Sequence, residues 1–328
     1  MPPVVTITTE ALYETPGPHL EVFAAAGFAV RYPQAVPLVS EADTIAAVGQ
    51  SQAVLAGSEP YTRAVLAELP NLRVISRNGV GYDRIDLAAA TDRNIAVTIT
   101  PDANFEAVAE HTLALLLAVA RRVPVCDRDM KAGHWRRGTP FRALRGRTLG
   151  IVGLGRIGRA VASRARAFGV HLLGHDIAAD PVVAASLDIE LTSCDDLLAR
   201  ADFITLHAPL TPQTARLINA DTLALMKPGA ILVNTSRGGL VDEAALVRAL
   251  STGKLEGAGL DVFADEPPPA SELFALDSVV LTPHVAALDE QAVVDMSVGA
   301  AENIVELYNG RMPVPCLVNG AVRDSWSW

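Results

Sequence analysis

The segment TLGIVGLGRIGRAVASRARAFGVHLLGHD, residues 148–176, carries the most specific structural pattern in the sequence. Gly153, Gly155 and Gly158 have the spacing G-x-G-x-x-G, and they lie between a run of strand-forming residues and a helical pattern. In such a turn the first glycine permits the tight bend, the second lets a ligand approach the backbone, and the third brings helix and strand together. A second apolar strand follows and leads to Asp176. This order predicts a dinucleotide-binding unit, against the alternative of a structural glycine turn with a surface aspartate.

The same stretch predicts which dinucleotide binds. The amino-terminal end of the helix offers free N–H groups and the positive end of its dipole to phosphates. The carboxylate of Asp176 would accept hydrogen bonds from a ribose 2′-hydroxyl and repel a 2′-phosphate, and Ile177, not an arginine, follows it. We therefore expect NAD rather than NADP. A second glycine pair, Gly79 and Gly81, lacks the third glycine and has no acid after the next strand, so we expect no dinucleotide there.

Along the whole chain, short β-rich runs alternate with helical patterns in two series, and this segment begins the second. The predicted strands lie at 4–8, 29–33, 53–57, 72–76 and 95–99 in the first series, and at 148–152, 170–174, 202–206, 230–234, 257–261 and 278–282 in the second. Such alternation is typical of parallel sheets covered by helices on both faces. We predict two doubly wound α/β domains. A Rossmann NAD-binding domain at 101–284 is inserted in a flavodoxin-like substrate domain made of 1–100 and 285–328.

Two segments connect the series. The helical segment 104–122 is apolar almost all round at its centre, which predicts burial between elements or subunits. The segment 126–146 is polar and reads as an arm that leads into the second series.

The composition disfavours several functional classes. The 328 residues include 27 Lys and Arg against 37 Asp and Glu, a net charge of −10 that disfavours nucleic acid and anionic membranes as partners. The three cysteines form no C-x-x-C pair, and no His/Cys or acidic cluster has the spacing of metal ligands. The first ten residues lack the pattern of a signal peptide, and the longest apolar run, 113–120, is too short to cross a membrane. We expect a cytoplasmic protein without a metal.

Three side chains with complementary chemistry follow predicted strands of the second series: Arg237, Glu266 and His284. In an open parallel sheet, ligands bind outside the carboxyl ends of the strands. Hydride transfer at a carbon–oxygen centre needs a proton donor that works near neutral pH, a carboxylate that orients it, and a cation for the substrate. Histidine, glutamate and arginine supply these in turn. Each residue alone is more often a surface or packing residue, but the three together predict an oxidoreductase site.

The other histidines lack a comparable pattern. His111, in the long helix, is expected to be packed or hydrogen-bonded, and His207 is expected to be at most a neighbour of the cofactor. The remaining histidines are expected on the surface: His19, His134, His171 and His175.

Several motifs, in order along the chain, resemble one known family. They include RNGVGYDRIDLAAA (77–90), TLGIVGLGRIGRAVA (148–162), MKPGAILVNTSRGGLVDEAAL (226–246), GLDVFADEPP (259–268) and LTPHVAA (281–287). The chain is identified as a member of the D-isomer-specific 2-hydroxyacid dehydrogenases, nearest the D-3-phosphoglycerate dehydrogenase branch in a short form without the regulatory domain. The resemblance implies that His284 is the acid/base, Glu266 its partner and Arg237 the substrate-binding arginine.

The resemblance also implies binding contacts and an assembly. Substrate-binding residues would be Asn78, Gly79, Val80, Gly81, Arg237 and His284, with backbone amides around Gly79 to Gly81 holding the substrate carboxylate. NAD-binding residues would be Val80, Gly153, Gly155, Arg156, Ile157, Gly158, Asp176, Ala208, Thr235, Ser236, Arg237, Asp261, His284, Ala286 and Ala287. The family is typically a homodimer, and the arm that holds Lys131, Trp135, Arg136 and Arg137 would embrace the partner. An exposed basic loop is the alternative interpretation of that arm.

The expected function is the NAD-dependent interconversion of a D-2-hydroxy acid and its 2-oxo acid. Asn78 stands where the family commonly has a small residue, and Asp102 and Phe105 replace a usual Gly and Ser, so the substrate stays open. Glyoxylate or hydroxypyruvate reductase is the alternative enzyme. A phosphorylated substrate would want further cations, for which the candidates are Arg77, Arg136 and Arg137. An NAD-sensitive corepressor-type scaffold without significant turnover is the alternative from another class.

Overall fold

The computed structural model describes residues 2–138 and 140–328. The strands are β1 (Val4–Ile7), β2 (Ala29–Arg31), β3 (Ala53–Ala56), β4 (Val74–Arg77), β5 (Ala96–Thr98), β6 (Thr148–Val152), β7 (His171–His175), β8 (Ile189–Leu191), β9 (Phe203–Leu206), β10 (Ala230–Asn234), β11 (Leu255–Leu260) and β12 (Val279–Leu281). The helices are α1 (Pro18–Ala25), α2 (Glu41–Val48), α3 (Arg63–Ala67), α4 (Leu87–Asp92), α5 (Phe105–Ala120), α6 (Val123–Lys131), α7 (Arg156–Ala165), α8 (Pro181–Ser186), α9 (Cys194–Arg200), α10 (Ala220–Leu225), α11 (Glu243–Ser251) and α12 (Glu290–Tyr308). These elements form two compact units. The first consists of the chain up to Asn104 together with Leu288–Trp328, and the second consists of Phe105–Ala287.

The first unit contains a five-stranded parallel sheet in the order β2-β1-β3-β4-β5. This is the flavodoxin-like order, in which the strand order reverses between β1 and β3. Strand β3 is buried along its whole length, as expected for a central parallel strand with helices on both faces. After α12, the chain returns to the outer strand β5, where Val318 donates its N–H to the carbonyl of Val97 (2.8 Å). The carboxyl-terminal segment thereby covers an edge that would otherwise present unpaired backbone groups.

The second unit contains a seven-stranded parallel sheet in the order β12-β11-β10-β9-β6-β7-β8. The first six strands in chain order have the 3-2-1-4-5-6 arrangement of the Rossmann fold, and β12 extends the sheet by one strand. The strand order reverses between β6 and β9, which are parallel, hydrogen-bonded neighbours. Ligands of this fold bind at the crevice outside the carboxyl ends of those two strands.

Helix α5 is buried against the second sheet because glycines leave room for it. A Cβ added to Gly259 would lie 2.9 Å from Cβ of Leu115, and one added to Gly257 would lie 2.6 Å from Cγ1 of Val119. Contacts this short show that side chains of β11 would displace the helix. The predicted burial of this apolar segment is therefore between elements of one unit.

The predicted fold class is confirmed, with some local differences. Strand β8 was not predicted, and helix α6 occupies the beginning of the predicted polar arm; none of its residues is buried. The expectation that His19 lies on the surface was wrong: it is 1% exposed, at the start of α1. That helix packs against α12, which begins at Glu290 and is therefore far from α1 in sequence, so local sequence could not indicate the burial. Within the described ranges, no helix is long and apolar enough to cross a membrane.

Candidate active site

The glycine turn after β6 has the geometry that its spacing predicts. Gly153 has φ +94°, and an added Cβ would lie 2.6 Å from the backbone carbon of His207. An added Cβ on Gly158 would lie 2.0 Å from the carbonyl oxygen of Gly153, so only glycine lets α7 begin so close to β6. Gly155 has open space at its Cβ position and caps α7 without a side-chain hydrogen bond. The turn therefore presents backbone N–H groups at the helix start, which fits the phosphates of a dinucleotide.

Asp176 is fixed beside this turn, directly after β7. One carboxylate oxygen accepts the N–H of Leu154 (2.7 Å), and the other accepts the N–H of Ala178 (2.8 Å). Ile177, the next residue, is 99% exposed and brings no cation to the carboxylate. A carboxylate so placed can accept hydrogen bonds from a ribose diol, as NAD requires.

The residues after β9 and β10 lie together at the same edge of the sheet. Ser236 donates its hydroxyl to the carbonyl of Ala208 (2.6 Å), and the hydroxyl of Thr235 is hydrogen-bonded to that of Thr112 on α5 (2.8 Å). Arg237 follows at once, and its Nη1 donates to the carbonyl of Ser236 (2.7 Å). The guanidinium is thereby placed at the carboxyl end of β10.

His284 and Glu266 are in direct contact. Nδ1 of His284 lies 2.8 Å from Oε2 of Glu266, and Oε1 of Glu266 accepts the N–H of Phe263 (3.1 Å). Burial alone would raise the pKa of Glu266, but the hydrogen bond and charge of His284, the bond from Phe263 and the charge of Arg237 together hold that pKa below its ordinary value of 4.5. The carboxylate is therefore ionised at neutral pH and can orient an imidazole and stabilise its charged form.

Asp261 lies beneath the segment that carries His284, and its side chain is completely buried. Its carboxylate accepts the hydroxyl of Thr282 (2.6 Å) and the N–H groups of Val285 and Ala286 (both 2.9 Å). Thr282 is also hydrogen-bonded to Nε2 of His111 on α5 (3.0 Å), as the expectation of a bonded His111 requires. The sequence did not single out Thr282, because its partner His111 is 171 positions away and no spacing pattern joins them.

His207 directly follows β9, at the point where the strand order of the sheet reverses. Burial lowers the pKa of its imidazole from 6.5 to about 3, so the ring is neutral at physiological pH. Both ring nitrogens are buried and find no hydrogen-bond partner in the part of the chain that the structure describes. Its role as a cofactor neighbour stays a prediction.

The loop predicted to bind the substrate carboxylate belongs to the first unit, after β4. The N–H of Asn78 donates to Ala56 O, and the N–H of Gly79, whose φ is +135°, donates to Thr100 Oγ1 (both 3.0 Å). These two amides are engaged within the unit, and the predicted role of the loop from Asn78 to Gly81 in binding the substrate carboxylate stays a prediction. Arg77 supports the loop, since its Nε donates to the carbonyl of Gly81 (2.6 Å). The described residues contain no cluster of His, Cys, Asp and Glu that could hold a metal.

Comparison with known proteins places this geometry in a family. Residues 113–286 match the model of the D-isomer specific 2-hydroxyacid dehydrogenase, NAD binding domain. The chain is 47% identical over 277 residues to the D-3-phosphoglycerate dehydrogenase of Mycobacterium tuberculosis, which covers 84% of this chain and 52% of that protein. It is 42% identical over 276 residues to the glyoxylate reductase of Thermococcus litoralis, which covers 82% of this chain and 83% of that protein. The chain thus spans about half the length of the curated phosphoglycerate dehydrogenase.

Solved structures are similar to nearly the whole of this chain. The TT0316 protein of Thermus thermophilus superposes with a TM-score of 0.84 and 40% identity, covering 96% of this chain and 99% of that one. The D-lactate dehydrogenase of Aquifex aeolicus, solved with NAD and lactic acid, has a TM-score of 0.84 and 29% identity, covering 97% and 99%. These likenesses extend over both units, and the chain belongs to the D-isomer-specific 2-hydroxyacid dehydrogenase family.

Proposed function

We propose that this protein is an NAD-dependent oxidoreductase that interconverts a D-2-hydroxy acid and its 2-oxo acid. The contact of His284 with an ionised Glu266 carries the proposal, because it pairs an acid/base with the group that steadies its charged form. The pair belongs to the same unit as a glycine turn suited to a dinucleotide and a strand-end arginine, Arg237. Bound NAD supplies the hydride acceptor for oxidation and, when reduced, the hydride donor.

Each residue of the site has a distinct task in the reduction direction. Arg237 binds the 2-oxo acid and polarises its carbonyl, for which a planar guanidinium is suited. His284, held through Nδ1 by Glu266, donates a proton from Nε2 to the carbonyl oxygen as C2 gains the hydride. Glu266 stabilises the imidazolium before the transfer and keeps the ring oriented after it. In the oxidation direction His284 takes the proton from the hydroxyl group.

The substrate class is the second part of the proposal. The phosphoglycerate dehydrogenase relatives suggest a 3-phosphorylated acid. An unphosphorylated acid such as glyoxylate or hydroxypyruvate is the second candidate. The position of Arg77, a candidate cation for a substrate phosphate, favours this second candidate. Its Nε and Nη1 donate to the carbonyls of Gly81 and Ala56 (2.6 and 2.9 Å), so the guanidinium already binds backbone groups.

The test is NADH oxidation by the purified protein across a panel of 2-oxo acids. The panel contains glyoxylate, hydroxypyruvate, pyruvate, phosphonopyruvate and 2-oxoglutarate, with 3-phosphoglycerate plus NAD run in reverse. We expect kcat/KM of ~10⁴ M⁻¹s⁻¹ or more for one compound. His284→Ala should lower kcat about 10²- to 10⁴-fold while NADH still binds, and His171→Ala, at an exposed position, should leave kcat unchanged. Feeble rates with every compound despite tight NADH binding would favour the scaffold, and unchanged turnover of His284→Ala would refute the assigned role.

We propose a homodimer as the functional assembly, with cytoplasmic location as the accompanying expectation. Helix α6 has no buried residue, and the exposed apolar side chains nearby are large: Val123 (54%), Met130 (52%), Trp135 (73%) and Phe141 (42%). Four large exposed apolar side chains in so short a stretch of the chain support a protein contact there. Light scattering should give twice the chain mass of 34.5 kDa, and Trp135→Ser should weaken the association; a monomer at micromolar concentration would contradict it.

A further inference from the structure

The backbone at His284 is strained. Its φ is +56°, in the left-handed region that residues with a Cβ disfavour. A strained residue persists only where its surroundings hold it in place. The residues that hold the backbone of His284 in this conformation therefore also place its imidazole against Glu266.

One buried residue, Asp261, receives three consecutive N–H groups of the strained segment. Its backbone carbonyl accepts the N–H of His284 (2.8 Å), and its two carboxylate oxygens accept those of Val285 and Ala286 (2.9 Å each). Hydrogen bonds to a charged acceptor are stronger than those to a neutral one. These three bonds hold the segment in its strained conformation.

The carboxylate of Asp261 is itself fixed from the far side. The hydroxyl of Thr282 donates to Oδ1 (2.6 Å), so its oxygen is left to accept a hydrogen bond from Nε2 of His111 (3.0 Å). That nitrogen also lies 3.6 Å from Oδ1 of Asp261. Because His111 belongs to α5, which packs against β10 and β11, the chain of contacts ties the strained segment to a buried helix.

We propose that Thr282 and His111 are positioning residues for proton transfer: together they fix Asp261, which holds His284 in the backbone conformation that places its Nδ1 on Glu266. Neither residue acts on the reacting atoms directly; both act through Asp261 and the backbone. The proposal rests on the proposed function for its kinetic consequence, whereas its structural consequence is independent of turnover.

The kinetic test uses Thr282→Val, which removes the hydroxyl and keeps the shape. We expect kcat to fall about tenfold while KM for the 2-oxo acid and the Kd for NADH change less than twofold. The solvent deuterium isotope effect on kcat should increase, because a misplaced imidazole slows the proton step. His111→Leu should act in the same direction, and His111→Gln, which keeps a donor, should recover most of the rate. Thr252→Val, at an exposed threonine of another helix end, is the matched control.

The structural test observes the His284–Glu266 hydrogen bond directly. A proton held between Nδ1 and a carboxylate gives a low-field imidazole resonance in the NMR spectrum, assigned by its absence in His284→Asn. The resonance should be lost or exchange-broadened in Thr282→Val and retained in Thr252→Val. Its persistence in Thr282→Val, or a kcat loss that merely follows loss of NADH affinity and melting temperature, overturns the proposal. If the wild-type protein turns over no 2-oxo acid but the resonance is still lost in Thr282→Val, the positioning role stands and the proposed function is refuted.

Discussion

The neutral imidazole of His207 makes the stability of this protein depend on pH in a defined direction. Burial lowers its pKa from 6.5 to about 3, and its ring nitrogens have no partner among the described residues. Because the pKa is lower in the folded than in the unfolded chain, the unfolded chain binds the proton first as the pH falls. Stability from this residue is therefore complete above about pH 6.5 and is lost progressively towards about pH 3.

The size of the effect follows from the two pKa values. Each pKa unit corresponds to about 1.4 kcal/mol. A pH of 5 lies about 1.5 units below the pKa of 6.5 in the unfolded chain, so the histidine is protonated there, whereas in the folded chain, with a pKa of about 3, it is still neutral. Between pH 7 and pH 5, His207 alone should therefore lower the free energy of unfolding by roughly 2 kcal/mol. His207→Leu, which cannot titrate, should lack this component.

The assay is urea unfolding of both proteins at pH 7 and pH 5, followed by far-UV circular dichroism. The difference between the two pH values is compared between proteins, which cancels other titrating groups and any constant effect of the substitution. The wild type should lose roughly 2 kcal/mol more than His207→Leu. His171→Gln, at an exposed histidine, should behave like the wild type. Equal losses in wild type and His207→Leu would refute a buried neutral imidazole.

Three further predictions concern the cofactor and the acid/base pair. Gly158→Ala should weaken NADH binding at least about tenfold in a fluorescence titration, because its Cβ would lie 2.0 Å from a backbone oxygen, whereas Gly138→Ala, with nothing within 4 Å, should not. Asp176→Ser combined with Ile177→Arg should raise kcat/KM for NADPH relative to NADH by about tenfold or more; an unchanged ratio would remove Asp176 from cofactor choice. Glu266→Gln should lower kcat about tenfold at neutral pH, since a charge-assisted hydrogen bond exceeds a neutral one by about 1–1.5 kcal/mol. In the wild type the lowered pKa of Glu266 keeps the carboxylate ionised to below pH 4.5, so kcat should show no loss from this group between pH 5 and 7.

Local sequence was sufficient for the dinucleotide-binding turn. Gly153, Gly158 and Asp176 lie within one strand–helix–strand segment, so backbone conformation and close contact alone dictate residue types at fixed spacing. The alternation of strands and helices likewise predicted both parallel sheets, because a buried parallel strand and its covering helices each leave a periodic apolar pattern. The edge strand β8 and the exposed helix α6 were not predicted, since short or unburied elements leave a weak pattern.

Other properties depend on contacts between residues that are distant in sequence. The burial of His19 comes from the packing of α1 on α12. The neutral state of His207 comes from desolvation, which the residues next to it in sequence do not indicate. The contact between His111 and Thr282 joins residues 171 positions apart. Sequence thus determined the conformations that short-range sterics impose, together with the residue types available for chemistry. Only the folded chain decided which of those groups lose water, which share a proton and which hold a strained backbone, because these properties depend on neighbours that the fold brings together.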